Sequence, residues 1–212
     1  MGKIRFRLAK PCDAKQISDI HYAVRENYPV GIFAQMGKSF LRQYYKIILN
    51  DPYEVVICAE NEKGEIVGFN SATLDAEAQM KNFRSHKIKL GLAAIGSIIC
   101  NPSLIKPLFA RYKSTQKNSK YHFVANKGTR GEYWSWKVSE KDPISCIEMN
   151  ASFRAVLKAL GIKELFFEVD KVNDKIVTFH KANKAEEVET IILPDGRERV
   201  LMKSDLTRKG TI

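Results

Sequence analysis

The sequence Glu-Tyr-Trp-Ser-Trp-Lys-Val at residues 132–138 opens the part of the chain that decides the fold. Its aromatic side chains recur with period two, which predicts a half-buried strand. Ser145 and Glu148 form a capping-box pattern that predicts the start of a helix, and Gly161 is expected to end that helix. The apolar segment 165–169 that follows predicts a second strand.

A short helix and a hairpin are expected after these two strands. Asn173 suits the N-cap of the helix, and His180 lies two turns later on the same face, roughly 10 Å along the axis. Pro-Asp-Gly at 194–196 is a turn sequence between two predicted strands at 187–193 and 197–203. Strands that alternate with helices in this way are typical of an α/β fold.

This order of elements resembles the second half of the GNAT acetyltransferase superfamily. The spacings from Val138 to Gly161, Asn173 and His180 fit the family without a gap. The sequence His-Lys-Ala-Asn-Lys-Ala at 180–185 aligns with the family's Tyr-x-x-x-Gly-Phe pattern. The resemblance implies a mixed central sheet of about seven strands with helices on both faces.

The N-terminal half fits the same superfamily. A strand at 4–8 precedes a helix from Asp13, and Gly-x-x-Phe-Leu-x-x-Tyr-Tyr stands at 37–45. A hairpin is expected from strands at 55–59 and 66–74. These features resemble a branch of the superfamily that is often linked to surface polysaccharide synthesis.

The resemblance implies that acetyl-CoA is the acyl-donor substrate. In the family, backbone N–H groups of a glycine-rich loop before the long helix hold the CoA pyrophosphate, which the helix dipole also favours. The loop at 142–147 is Asp-Pro-Ile-Ser-Cys-Ile and has no glycine, Pro143 lacks an N–H, and Glu148 adds a carboxylate. By position, the residues implied to contact the cofactor are Trp136, Lys137, Val138, Ser145, Cys146, Ile147 and Asn173.

Two side chains are candidates for catalysis. His180 stands where the family places the acid for the leaving thiolate, although a packed histidine is the alternative. By period two, Glu132 lies on the same face as Trp134 and Trp136, and a carboxylate near this strand often serves as the base in similar enzymes. A surface glutamate is the alternative for Glu132, and a plain helix cap is the alternative for Asn173.

Two hypotheses about function follow. The first is a CoA-dependent N-acyltransferase that moves an acetyl or other short acyl group to an amino group of a small acceptor, such as a phosphorylated sugar. The second is a catalytically degenerate binding or partner module of the same fold that no longer binds acetyl-CoA. The second hypothesis predicts that the loop at 142–147 packs against the sheet and that no cleft separates the two strands.

The composition suits one folded domain. A chain of 212 residues with 44% hydrophobic residues can bury one core, and we expect a single domain at 1–212 with an insertion at about 76–131. The four cysteines lie more than forty residues apart without a Cys-x-x-Cys pair, so we expect neither a metal site nor a disulfide framework. The first residues lack the apolar core of a signal peptide, so we expect a cytoplasmic protein with reduced thiols.

The positive charge is concentrated in one segment. Residues 78–131 hold eleven Lys and Arg and no Asp or Glu, so this segment carries the whole surplus of +11. Its apolar run at 90–100 is 11 residues long, well below the roughly 20 that a bilayer span requires. We therefore expect helical segments at 76–115, a loop at 113–131, and no span.

Three interpretations of this segment stay open. The segment could be a solvated basic face, a binding site for a phosphorylated acceptor, or an interfacial helix that contacts an anionic membrane surface. The last two are compatible with each other. Specific nucleic-acid binding is not expected, because no recognised nucleic-acid motif accompanies the charge. The sequence also leaves a homodimer open.

Overall fold

The structure, a computed structural model, describes residues 3–26, 32–114, 127–140, 142–193 and 196–208. Within these ranges one sheet is formed by the strands β1 (Arg5–Leu8), β2 (Glu54–Glu60), β3 (Ile66–Thr73), β4 (Arg130–Trp136), β5 (Glu164–Asp170), β6 (Glu186–Ile192) and β7 (Glu198–Asp205). Their order is β1-β2-β3-β4-β5-β7-β6, with β4 and β5 parallel and the other neighbours antiparallel. The predicted mixed sheet of seven strands is confirmed.

Helices flank this sheet. They are α1 (Ala14–Ala23), α2 (Ile32–Gln35), α3 (Gly37–Ile48), α4 (Ala76–Ser85), α5 (Lys87–Cys100), α6 (Ile105–Ser114), α7 (Pro143–Ala159) and α8 (Asp174–Ala182). Helices α4 to α6 lie within residues 76–115, where the sequence predicts helical segments. Residues 115–126 of the expected loop lie outside the described residues. No helix in the described part of the chain combines the length and apolarity needed to cross a bilayer.

Apolar cores lie on both faces of the sheet because side chains alternate along each strand. From β2, Val56 and Cys58 pack with α1 and α3, where Tyr45 is fully buried. Val55 and Ile57 point to the other face, where they pack with α7. Sheet burial on both faces explains why β2 and β3 are almost continuously buried.

Helix α5 forms an outer layer against α3. Ala94 is buried between the two helices, and Ser97 Oγ donates a hydrogen bond of 2.6 Å to the Met36 carbonyl. Gly37 at the start of α3 has φ +81°, and a Cβ there would lie 2.6 Å from Ser97 Oγ. Glycine is therefore required at this close approach both by its backbone conformation and by the available space.

Candidate active site

Strands β4 and β5 meet at one end and separate toward the other. Their one paired position is Arg130 with Phe166, where the Phe166 N–H donates to the Thr129 carbonyl at 3.5 Å. Beyond it, β4 remains paired with β3 as far as Trp136, whereas β5 is paired with β7. The expected neighbours are thus adjacent, and the backbone edge of β4 that faces β5 has no strand partner past Arg130 among the described residues.

An irregularity in β4 changes which face its side chains occupy. In the β3–β4 register, Asn70 pairs with Trp134 and Ala72 pairs with Gly131, so β4 contains one extra residue between these pairs. This is a β-bulge, which interrupts the period-two alternation of the strand. The hydroxyl of Ser71 lies against the bulge and accepts a hydrogen bond from the backbone N–H of β4 at 3.1 Å.

The bulge separates Glu132 from the tryptophans. Tyr133 packs against His21 of α1, with ring centroids 4.3 Å apart, whereas Trp134 and Trp136 join the core under α7. Glu132 hydrogen-bonds to Arg130 on the α1 side of the sheet. The expectation that Glu132 shares a face with the two tryptophans is therefore wrong, because it assumed unbroken alternation through residues 132–133.

Glu132 belongs to a chain of buried polar side chains on the α1 side. Nε and Nη2 of Arg130 donate to Glu132 Oε1 at 2.8 and 2.7 Å, and Nη2 also donates to Gln79 Oε1 at 2.7 Å. Gln79 of α4 donates in turn to Glu54 Oε1 at 2.8 Å. Burial, reinforced by the negative charge of Glu132, raises the pKa of Glu54 to about 8. Glu54 is therefore protonated at neutral pH.

Aromatic rings bridge the separated strands on the α7 side. Trp134 of β4 lies 5.3 Å from Phe179 and 6.1 Å from His180, both in α8, as measured between ring centroids. Phe167 of β5 lies 4.4 Å from His180. The indole N–H of Trp134 is buried beside the side chain of Cys146. Aromatic rings of β4, β5 and α8 therefore lie across the gap between the separated strands.

His180 is neutral at physiological pH. Burial, and to a lesser degree the positive charge of Arg154, lowers its pKa to about 4. A neutral imidazole can donate its ring N–H, but it is a weaker acid than the imidazolium that the thiolate-acid role would use. The catalytic role of His180 stays a prediction.

Arg154 of α7 is a buried cation without a carboxylate partner among the described residues. Its Nη1 donates to Ser204 Oγ at 2.6 Å, and its Nη2 is buried without an acceptor there. Burial lowers its pKa below the ordinary arginine value. Sequence reasoning missed this residue, although a charge between the apolar positions Phe153 and Leu157 was a usable signal.

The start of α7 differs from the prediction. The helix begins at Pro143, and its N-cap is Asp142 rather than Ser145. Asp142 accepts hydrogen bonds from Ser145 N at 3.1 Å and Ser145 Oγ at 2.7 Å, and these bonds lower the pKa of the carboxyl. Aspartate followed by proline at the first helical position is a strong helix start, which explains the difference.

A carboxylate therefore occupies the helix end at which the family's CoA pyrophosphate would be expected. The N-terminal turn is nevertheless open, because Ile144 and Ile147 are exposed. The second hypothesis expects a loop at 142–147 packed against the sheet, whereas residues 143–147 form the first turn of α7. Burial raises the pKa of Cys146 to about 11, against the opposing effect of a contact with Trp134.

The remaining predicted cofactor residues lie on two elements. Nε1 of Trp136 donates to the Glu140 carbonyl at 2.6 Å, and the exposed Val138 starts a short 3₁₀ turn. Lys137 forms a 4.0 Å ion pair with Glu65. Asn173 is exposed at the N-cap of α8, yet its side chain makes no capping hydrogen bond. No group of three potential metal-binding side chains occurs within the described ranges.

Comparisons with known proteins identify the fold. No protein-family model matches the sequence, and no curated protein matches it. An N-acetyltransferase from Staphylococcus aureus Mu50 superposes with a TM-score of 0.61 and 13% identity, covering 96% of this chain and 99% of that one. A probable acetyltransferase from Staphylococcus epidermidis ATCC 12228 superposes with a TM-score of 0.58 and 12% identity, covering 96% of this chain and 99% of that one.

A third solved structure is also similar to this chain. Mutant forms of the spermidine/spermine N-acetyltransferase from Vibrio cholerae superpose with a TM-score of 0.56 and 8% identity, covering 96% of this chain and 94% of that one. At such low identity the likeness shows the fold alone. Together with the separated strands β4 and β5, it shows that this chain has the fold of the GNAT acetyltransferases.

Proposed function

We propose that the protein transfers an acetyl or other short acyl group from CoA to an amino group of a small acceptor. The observation that carries this proposal is the separation of β4 from β5 beyond Arg130 and Phe166. Backbone N–H and C=O groups along the free edge of β4 can bond a pantetheine chain laid between the strands and polarise its thioester carbonyl. The acetyltransferase fold supports the same reaction class.

The two sheet faces suggest separate approaches for the two substrates. In the reaction the amine attacks the thioester carbonyl carbon, the C–S bond breaks, and the amine loses a proton. Glu132 is on the α1 side of the sheet, where it would take that proton from an acceptor arriving on this side. His180 and Cys146 are on the α7 side with the predicted donor site. The ring N–H of neutral His180 would donate a hydrogen bond to the departing thiolate, which would take its proton from solvent.

The first turn of α7 fits the CoA pyrophosphate poorly. Asp142 presents a carboxylate there and uses the Ser145 N–H that would otherwise bond an anion. This observation favours the second candidate function, a module of the same fold that does not bind acetyl-CoA. The bridge of Trp134 and His180 across the strands favours it as well.

Calorimetry with acetyl-CoA, followed by an assay of CoA release, distinguishes the two candidates. Amine substrates for the assay are a hexosamine phosphate, a nucleotide-linked amino sugar of the kind used in surface polysaccharides, and a polyamine. We expect acetyl-CoA to bind and one amine class to accelerate CoA release. Absence of binding at millimolar acetyl-CoA would leave the non-catalytic module as the function.

Glu132→Gln tests the proposed base. The amide is isosteric and its oxygen can still accept from Arg130, so the fold and acetyl-CoA binding should persist at reduced stability. The rate of amine-dependent CoA release should fall by roughly 10²- to 10⁴-fold. A matched control is Glu140→Gln, because Glu140 is exposed in the 3₁₀ turn after β4. An unchanged rate in Glu132→Gln would remove this residue from the chemistry.

A further inference from the structure

Helix α5 carries an apolar stripe on its outer surface. The stripe consists of Ile88, Leu92, Ile95 and Ile99, which are 71%, 64%, 47% and 72% exposed. Their spacing of four, three and four residues puts them on one helical face. Ile105, at the start of α6, is also exposed. We call the four residues of α5 the α5 stripe.

The α5 stripe is not a part of the core. The opposite side of α5 packs on α3 through Ala94 and Ser97, so the stripe points outward. Within the described part of the chain, no element covers it. Single exposed apolar residues are ordinary on protein surfaces, whereas several aligned on one helix mark an interaction surface.

The charge around the stripe is positive. Lys87 and Lys89 are exposed within α5 itself, Lys81 and Arg84 are exposed on α4, and Lys106 is exposed on α6. No Asp or Glu occurs anywhere between residues 78 and 131. An apolar face with lysine around it and no acidic residue is the pattern of helices that lie in the interface of an anionic bilayer.

A second basic surface adjoins the same helix. A groove of about 280 Å³ between α3 and α5 is lined by Lys38, Arg42 and Lys46, together with Ser39, Gln43 and Ala93. Nε of Arg42 is buried and has no acceptor in the described residues. Lys38 is partly neutralised by Asp19, 3.7 Å away. Such a groove can receive the phosphate oxygens of a lipid headgroup, since Arg binds phosphate through directed hydrogen bonds.

We propose that the protein docks on anionic lipid bilayers through the α5 stripe. The stripe would enter the boundary between headgroups and acyl chains, while the surrounding lysines and the α3–α5 groove would bind lipid phosphates. Helix α5 would lie in the membrane plane rather than cross it, in keeping with its 14 residues. This inference is independent of acyl transfer, because it depends on the insertion and not on the strand gap.

Vesicle sedimentation tests the proposal. We expect the intact protein to bind vesicles of phosphatidylcholine with phosphatidylglycerol, to bind pure phosphatidylcholine vesicles far less, and to dissociate as salt increases. The variant Leu92→Gln/Ile99→Gln should bind the anionic vesicles at least about tenfold more weakly. Because both side chains are exposed, folding should be unaffected, which circular dichroism can verify.

Matched controls separate the stripe from general surface properties. Val172→Gln/Leu160→Gln removes two exposed apolar side chains elsewhere and should bind vesicles as the unmodified protein does. Lys87→Glu/Lys89→Glu should steeply weaken binding to anionic vesicles at low salt. The control Lys158→Glu/Lys175→Glu changes exposed lysines of α7 and α8 and should weaken this binding less. Equal effects of the stripe variant and its control would overturn the proposal.

Fluorophore labelling tests the orientation. Cys100 at the end of α5 and Cys12 near β1 are exposed, whereas Cys58 is buried and Cys146 has a pKa raised to about 11 by burial. A polarity-sensitive label on Cys100, in the Cys12→Ser variant, should shift to shorter wavelength on anionic vesicles. The same label on Cys12, in Cys100→Ser, should shift less. If neither label shifts, or the stripe variant only converts a dimer to a monomer, the stripe is not a lipid surface.

Discussion

Nη2 of Arg130 donates a hydrogen bond of 2.7 Å to Oε1 of Gln79, and this bond joins the central sheet to the first helix of the insertion. Gln79 is almost fully buried, and its Nε2 donates to Glu54 at 2.8 Å. The Gln79 amide is therefore satisfied on both sides by charged or titratable groups. Helix α4 is consequently a part of the fold and not an appendage to it.

The variant Gln79→Leu should destabilise the protein. Leucine leaves the buried Arg130 without its Gln79 acceptor and the half-buried Glu54 without its Gln79 donor. We expect a cost of about 1–3 kcal/mol. Urea denaturation of the purified variant measures the change in the free energy of unfolding. The control Glu77→Gln, at an exposed position of α4, should stay within about 0.5 kcal/mol of the unmodified protein. A comparable loss in both variants would contradict the role given to Gln79.

Glu54 should make the protein less stable as pH rises. Its pKa is raised from 4.5 to about 8, chiefly by burial, so between these values only the unfolded state loses the proton. The free energy of unfolding should then fall by up to about 1.4 kcal/mol per pH unit through this window and level off above it. Glu54→Gln cannot ionise, so its stability relative to the unmodified protein should increase between about pH 5 and pH 8 in urea titrations. Parallel pH curves for the two proteins would refute the shifted pKa.

Asp142→Ala should have opposite effects on stability and on ligand affinity. Loss of the N-cap of α7 should cost about 1 kcal/mol, measured by thermal denaturation. Loss of the carboxylate should also free the Ser145 N–H and remove a repulsive charge, so acetyl-CoA should bind more tightly in calorimetry. The control Asp174→Ala, in the first turn of α8, should leave acetyl-CoA affinity unchanged. Weaker acetyl-CoA binding in Asp142→Ala would mean that the carboxylate is not an obstacle.

The sequence predicts the elements of this fold better than it predicts their contacts. Period-two aromatics located β4, and the glycine at 161, with φ +82°, marked the end of α7 as expected. The bulge at 132–133 was not predictable from β4 alone, since it depends on how Ser71 of β3 pairs with Tyr133. One extra residue in β4 places Glu132 on the sheet face opposite to the one that the sequence predicts.

The buried polar chain was hidden for a related reason. Gln79 and Arg130 belong to a segment whose composition indicates an exposed basic surface, and 51 residues separate them. Their pairing arises only when α4 folds back over the end of β3. The contact of Glu54 was equally hard to predict, because a glutamate at the start of a strand is usually exposed. Tertiary contacts rather than local patterns therefore define this part of the candidate site.

His180→Phe should make the protein more resistant to acid. The pKa of His180 is lowered from 6.5 to about 4 by burial and then by the Arg154 charge, so in acid the unfolded chain binds a proton that the folded protein excludes. Stability is therefore lost as pH falls from about 6.5 to 4, by up to about 1.4 kcal/mol per unit. Phenylalanine preserves an aromatic ring against Phe167 and Trp134 but cannot take up a proton.

Urea titrations at several pH values should show the advantage of His180→Phe growing below pH 6.5 and vanishing above pH 7. The same variant tests catalysis. If His180 donates to the leaving sulfur, kcat for CoA release should fall while acetyl-CoA affinity in calorimetry stays near that of the unmodified protein. A shift in acid stability without a change in kcat would identify His180 as a packing residue. Burial alone produces the shift in stability, whereas only a hydrogen bond to the leaving sulfur affects kcat.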